Sequence, residues 1–111
     1  MTEDPQEVIK LKVQRVFDHW LDTCRNSGRG LQPVLTDKRN KLIAKAIFWY
    51  GEDGCCLAID GCAKSPWHMG DNPSGKRYDS IELILRDAEH IERFASYATE
   101  LSDQEKFLAE G

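Results

Sequence analysis

Apolar residues in this chain recur three and four apart, and nowhere do four to eight residues alternate apolar and polar with β-branched enrichment. The first spacing is that of a helix buried along one stripe, whereas alternation would mark a half-buried strand. The pattern predicts an all-α fold, a small bundle of four to five helices with a long ordered loop between the third and the fourth. Helices of this size are marginal alone in water, so each must bury its stripe on the others.

The helices can be placed from their stop and start signals. Asp4-Pro5 reads as an N-cap followed by proline at the first helical position, with Glu7 near it. Val8, Leu11, Val16 (flanked by Val13), Phe17, Trp20, Leu21 and Cys24 then form one apolar stripe, which NSGRG at 26–30 stops. Thr36 caps a second helix with Leu42, Ile43, Ala46, Ile47 and Tyr50 inward and Lys38, Arg39, Lys41 and Lys45 on a cationic face. Phe48 and Trp49 are expected to widen its apolar surface, and Gly51 to end it. A third helix runs from Asp53 to Ala63 with Cys55, Leu57 or Cys56, Ile59 and Cys62 inward, weakened by Gly54 and Gly61 at ~1 kcal/mol each. Beyond the loop, Asp79 or Ser80 caps Ile81–Arg86, and Asp87 caps a segment holding Ile91, Phe94, Ala95 and Tyr97.

A length of 111 residues suits one domain, taken as residues 1–98, followed by an acidic tail, 99–111, that is either a frayed helix or disordered. At 41% hydrophobic and 31% charged the chain can fill one modest core. No apolar run approaches the ~20 residues of a membrane span, and the acidic MTEDPQEV start lacks the basic and apolar regions of a signal peptide. The expected location is therefore the cytoplasm, of a cell or an infected bacterial host, without a membrane partner.

The net charge of −4 argues against a general nucleic-acid coat, yet the charge is unevenly placed. Residues 36–77 carry seven Lys/Arg against five acids, and residues 78–111 three against nine. A mildly basic middle beside a strongly acidic end suits partner recognition or weak phosphate contact.

Catalytic and metal chemistry find little support. The run Cys56-x5-Cys62-x5-His68 has ligand-type residues without a zinc spacing, Cys24 stands alone, and Cys55 and Cys56 are neighbours. Buried thiols are the better reading, and no metal or cofactor is expected. His19, beside the aromatics of the first helix, and His90, on a solvent face, lack partner motifs. No GxSxG, HExxH, Walker A or GxGxxG occurs, and GDNPSGK lacks the order of a phosphate loop. The chain is not expected to be an enzyme.

The loop within SPWHMGDNPSGKRYDSIELILRD, residues 65–87, offers recognition chemistry instead. Loops longer than ~12–15 residues in a compact domain are usually functional or disordered. Lys64, His68, Lys76 and Arg77 are donors, while Trp67 and Tyr78 are flat apolar surfaces, the elements of single-strand nucleic-acid binding. The competing reading folds Trp67 and Met69 back onto the core and leaves DNPSG as a polar turn. Candidate nucleic-acid or partner-binding residues are accordingly Lys38, Arg39, Lys41, Lys45, Lys64, Trp67, His68, Lys76 and Arg77.

The order of Trp20, LTDKRNKLIAKAI, CLAIDGCAKSPWHMGDN and RYDSIELILRDAEHIERF resembles the carboxy-terminal domain of phage and prophage replication initiation proteins of the replisome-organiser or helicase-loader type. The resemblance covers roughly residues 16–97 and is most specific in HMG and YDSIELILRD. It falls on Lys38, Arg39, Ile59 to Cys62, Pro66, His68 to Gly70, Asn72, Gly75, Tyr78, Asp79 and Glu82 to Asp87, and it brings no catalytic residue. It implies a part in starting DNA replication by contacting DNA or the replicative helicase. Those proteins usually carry an amino-terminal winged-helix DNA reader, for which this chain has no room. The expected function is thus a non-enzymatic, phage-type replication accessory module that binds replicative helicase, single-stranded DNA or both. The alternative is a phage-derived interaction module that binds and inhibits a host protein, its acidic end meeting a basic partner.

Overall fold

The computed structural model describes residues 5–25 and 31–110, without the side chains of 100–110; the Asp4 cap and the NSGRG stop lie outside it. Its elements are four helices in chain order: α1 (Pro5–Cys24), α2 (Asp37–Lys64), α3 (Ile81–Ile84) and α4 (Ala88–Glu110). The described residues include no strand, so the fold is all-α. None of the described helices is long and apolar enough to cross a membrane.

Local chemistry sets the helix starts. The Thr36 hydroxyl accepts from Arg39 N at 3.2 Å, Ser80 from Leu83 N at 3.2 Å, and the Asp87 carboxylate from His90 N at 2.8 Å. Each satisfies one of the orphan N–H groups of a first turn. Of Asp79 and Ser80, it is Ser80 that caps. The helices expected on either side of Gly51 are halves of α2, joined across a break where Gly51 takes φ 72° and ψ 175°. That backbone region is essentially open to glycine alone.

α2 is the centre of the packing. It meets α1, α3 and, most extensively, α4, while α1 and α4 join mainly through it. Val13, Val16, Phe17, Trp20 and Cys24 of α1 bury against Ile43, Ala46, Cys55, Ala58, Ile59 and Cys62 of α2, with Ile81, Ile84, Leu85, Ile91 and Phe94 completing the core. Two glycines have opposite meanings here. Gly51 supplies a conformation; Gly61 supplies space, since a Cβ there would lie 1.7 Å from the Phe94 carbonyl oxygen of α4. The sequence pattern counts Gly61 against a helix, yet it is the reason α2 and α4 come so close.

Several expected inward positions are corrected. Leu11 is 59% exposed and its neighbour Val13 takes the core place, and Leu57 is 39% exposed while Ala58 is buried. Phe48, expected to widen the apolar surface, is 87% exposed. In each case the helix has neighbours along a narrower arc than the apolar residues occupy.

Polar ties between elements complete the frame. Arg15 grips Glu52 with two parallel bonds, at 2.8 and 2.6 Å, and His19 Nε2 meets Asp60 Oδ1 at 2.7 Å, both joining α1 to α2. Tyr50 donates its hydroxyl proton to Glu92, joining α2 to α4. Trp20 is buried at 1% exposure, its Nε1 donating to the Asp79 carbonyl at 2.8 Å, with the Arg25 and Arg39 guanidiniums 4.8 and 5.8 Å from its ring. Aromatic and cation together make this corner dense.

Candidate interaction surface

The nine residues singled out in the sequence separate into three places. Lys38, Lys41 and Lys45 line a groove between the first half of α2 and α3, of about 690 Å³, together with Leu42, Ser80, Glu82, Leu83 and Arg86. At 3.6 residues per turn, positions 38, 41 and 45 fall on one side of α2, with 48 and 49 continuing the same side. That side is turned away from the buried Ile43 and Ala46. Among the described residues, Lys38 and Lys41 make no ion pair, and Lys45 lies with its Nζ 5.1 Å from the Trp49 ring. The groove's acid is already answered, since Arg39 Nε donates to Glu82 Oε1 at 2.5 Å.

Arg39 is consequently part of the frame. Besides Glu82 it donates to the Val34 carbonyl at 2.8 Å, holding the entry to α2 against α3. Arg77 is tied down in the same manner. It donates to the Cys24 carbonyl at 2.8 Å and to Asp79 Oδ2 at 2.7 Å. Asp79 is 2% exposed and receives Arg25 as well, at 2.5 Å, so two guanidiniums surround one buried carboxylate. Charge-assisted bonds of this kind close the end of α1 onto the loop.

The loop is a folded object rather than an open strap. Asn72 Nδ2 donates to the carbonyls of Trp67 and Lys76, at 2.7 and 2.8 Å, and its Oδ1 accepts from Ser74 Oγ at 2.8 Å. Tyr78 N donates to the His68 carbonyl at 2.7 Å, closing the loop at its base. Trp67 is 50% exposed and stacks on Tyr78, with ring centroids 5.0 Å apart and planes at 15°. The Lys76 ammonium lies 5.8 Å from the other partner ring, Tyr78. Trp67 therefore neither plugs the core nor stands free; one face of it is covered by Tyr78. His68 goes inward, its ring against Phe94, Tyr97 and Trp67 and its Nδ1 2.7 Å from Ser65 Oγ. Burial, with Arg93 nearby, holds His68 below its ordinary pKa.

Lys64 lies elsewhere again. It lines a smaller hollow with Thr23, Leu57, Asp60, Ala63, Ala98 and Thr99 at the far end of α2. His90 pairs with Asp87 at 2.8 Å as part of the α4 start, and its side chain is only a quarter exposed rather than on an open face.

Cys24, Cys55 and Cys62 are buried in the core, and Cys56 is partly buried against it. Burial pushes Cys24 and Cys56 up to about 11 and Cys55 and Cys62 to about 12. Such thiols are poor nucleophiles near neutral pH. Among the described residues no group of three His, Cys, Asp or Glu is placed to hold a metal ion.

Five members of this surface escaped the sequence reading: Leu42 as groove floor, Leu83, Arg86 and the exposed pair Phe48 and Trp49. For Phe48 a signal existed, since it stands three residues after Lys45 and seven after Lys41, the phase of the cationic side and not of Ile43 and Ala46. Arg86 and Leu83 had none, because their meeting with α2 depends on how the loop returns the chain. Compared with protein-family models, curated proteins and solved structures, the chain matches none of them.

Proposed function

We propose that this chain is a non-enzymatic accessory module of phage-type DNA replication that works by docking, on the replicative helicase, on single-stranded DNA, or on both. The observation that carries this reading is the α2 side on which Lys38, Lys41 and Lys45, which make no ion pair among the described residues, stand beside Phe48 and Trp49. A chain of net charge −4 that gathers unanswered cations on one helix face favours an acidic ligand there. The exposed rings add the stacking surfaces that unpaired bases use, and Lys45 over Trp49 already displays the cation–ring contact. The resemblance of HMG and YDSIELILRD to replication initiation proteins supports the choice of process.

Two measurements test the reading. A single-stranded oligonucleotide is titrated at low salt, and purified replicative helicase is offered to the immobilised protein. Binding in either assay that falls with salt and falls again in the Lys41→Glu, Lys45→Glu double variant is the expected result. No binding in either, or binding indifferent to those two charges, removes the proposal.

A further inference from the structure

We propose that the groove between the first half of α2 and α3 seats an acidic amphipathic helix of a protein partner. The inference rests on the docking reading above and narrows it to one kind of ligand.

Its argument starts from the lining. Leu42 and Leu83 provide an aliphatic floor, and Lys38, Lys41, Lys45 and Arg86 stand around it. Glu82 is occupied by Arg39, so the cations of the rim are offered outward. From Lys38 to Lys45 the wall runs for about 10 Å, two turns of α2. An apolar floor between cationic edges matches a helix that has leucine-type residues on one side and carboxylates flanking them.

The walls also say why the ligand is helical. Both are helices, so neither offers the groove a strand edge to pair with, and the Ser80 hydroxyl is taken by Leu83 N. An extended peptide would bring unpaired N–H and C=O groups and meet only side chains, whereas a helix satisfies its own. Nucleic acid fits this groove less well, because no ring lines it and bases bind chiefly by stacking.

The test uses the full chain, isotopically labelled, and three probes, with a charge-reversed form of the first as a control. The first is a synthetic helical peptide of about 18 residues, built from Leu, Glu, Gln and Ala with Leu at i, i+3, i+4 and i+7. The second is the same composition scrambled, and the third is an oligothymidylate. The proposal expects the first peptide to shift the amide resonances of Leu42, Lys45, Leu83 and Arg86, and the scrambled peptide to leave them in place. In the Lys41→Glu, Lys45→Glu variant the affinity should fall about tenfold. A peptide with Lys in place of Glu should regain it, which shows that the variant is folded. Equal binding of the scrambled peptide, shifts confined to other surfaces, or no peptide binding would each overturn the proposal. If oligothymidylate alone binds through Lys41 and Lys45, this inference falls while the docking reading stands; if nothing binds, this inference falls and the docking reading stands or falls with the helicase assay.

Discussion

The two halves of α2, one on each side of Gly51, are the same helix used in opposite ways. The second half is pressed between α1 and α4, and small residues dominate its buried positions: Cys55, Ala58, Gly61 and Cys62 beside Ile59. The first half buries only Ile43 and Ala46 and turns lysines and aromatic rings outward. Small side chains let a helix be surrounded, because neighbouring backbones can approach closely. A helix with neighbours along one arc can carry long and bulky residues on the rest. The difference separates a half that holds the fold together from a half whose lysines and rings stand exposed, the half proposed to meet a ligand.

The sharpest way to break that contrast is Gly61→Ala. The added methyl has no room beside the Phe94 carbonyl, so α2 and α4 must separate; we expect a loss of about 3 kcal/mol or more, read by denaturant unfolding. Gly51→Ala should cost less, about 2 kcal/mol, since space is open there and only the backbone conformation is penalised. Should the two costs reverse, the division between packing and hinge is misplaced.

Asp79→Ala comes next, at about 2 kcal/mol by thermal unfolding. It removes the acceptor of Arg25 and Arg77, but both guanidiniums keep contact with water and can be resolvated. The Trp20 bond is retained, because it goes to the main-chain oxygen.

Acidification should weaken the fold progressively. His68 is held below its ordinary value of 6.5, so the unfolded chain takes up a proton first and stability declines as pH drops below about 6.5. Glu52 and Asp87 are held below their ordinary 4.5 and 3.8, by Arg15 and by His90, and add further loss as pH falls through that lower range. Unfolding midpoints measured from pH 7 to 2 should show the first decline vanish in His68→Phe and the second persist.

The smallest effect belongs to the open half. Phe48→Ser should leave stability within about 0.5 kcal/mol, because an 87% exposed ring contributes little burial. A larger loss would mean that this ring is packed, and that the first half of α2 is less open than its lysines indicate.

Much of the architecture could be read from the chain before any coordinates. Thr36 and Asp87 each cap with a group three residues on, Gly51 adopts a backbone region that its neighbours cannot, and the three-and-four spacing specifies helices. All of these act within one turn, so sequence order is sufficient to reveal them. Exposure of Phe48 was accessible to the same reasoning, had its phase been weighed above its hydrophobicity.

Other features depend on partners brought from far along the chain. Arg25 reaches Asp79 across 54 positions, Arg39 reaches Glu82 across 43, and Gly61 matters only because α4 crosses it. The sequence by itself determined where helices begin, break and carry charge, since those are contests among adjacent groups. Only the tertiary structure decided which cations are spent on the frame and which stand without an ion pair among the described residues, because an ion pair is made by the path of the loop and not by the residue that enters it.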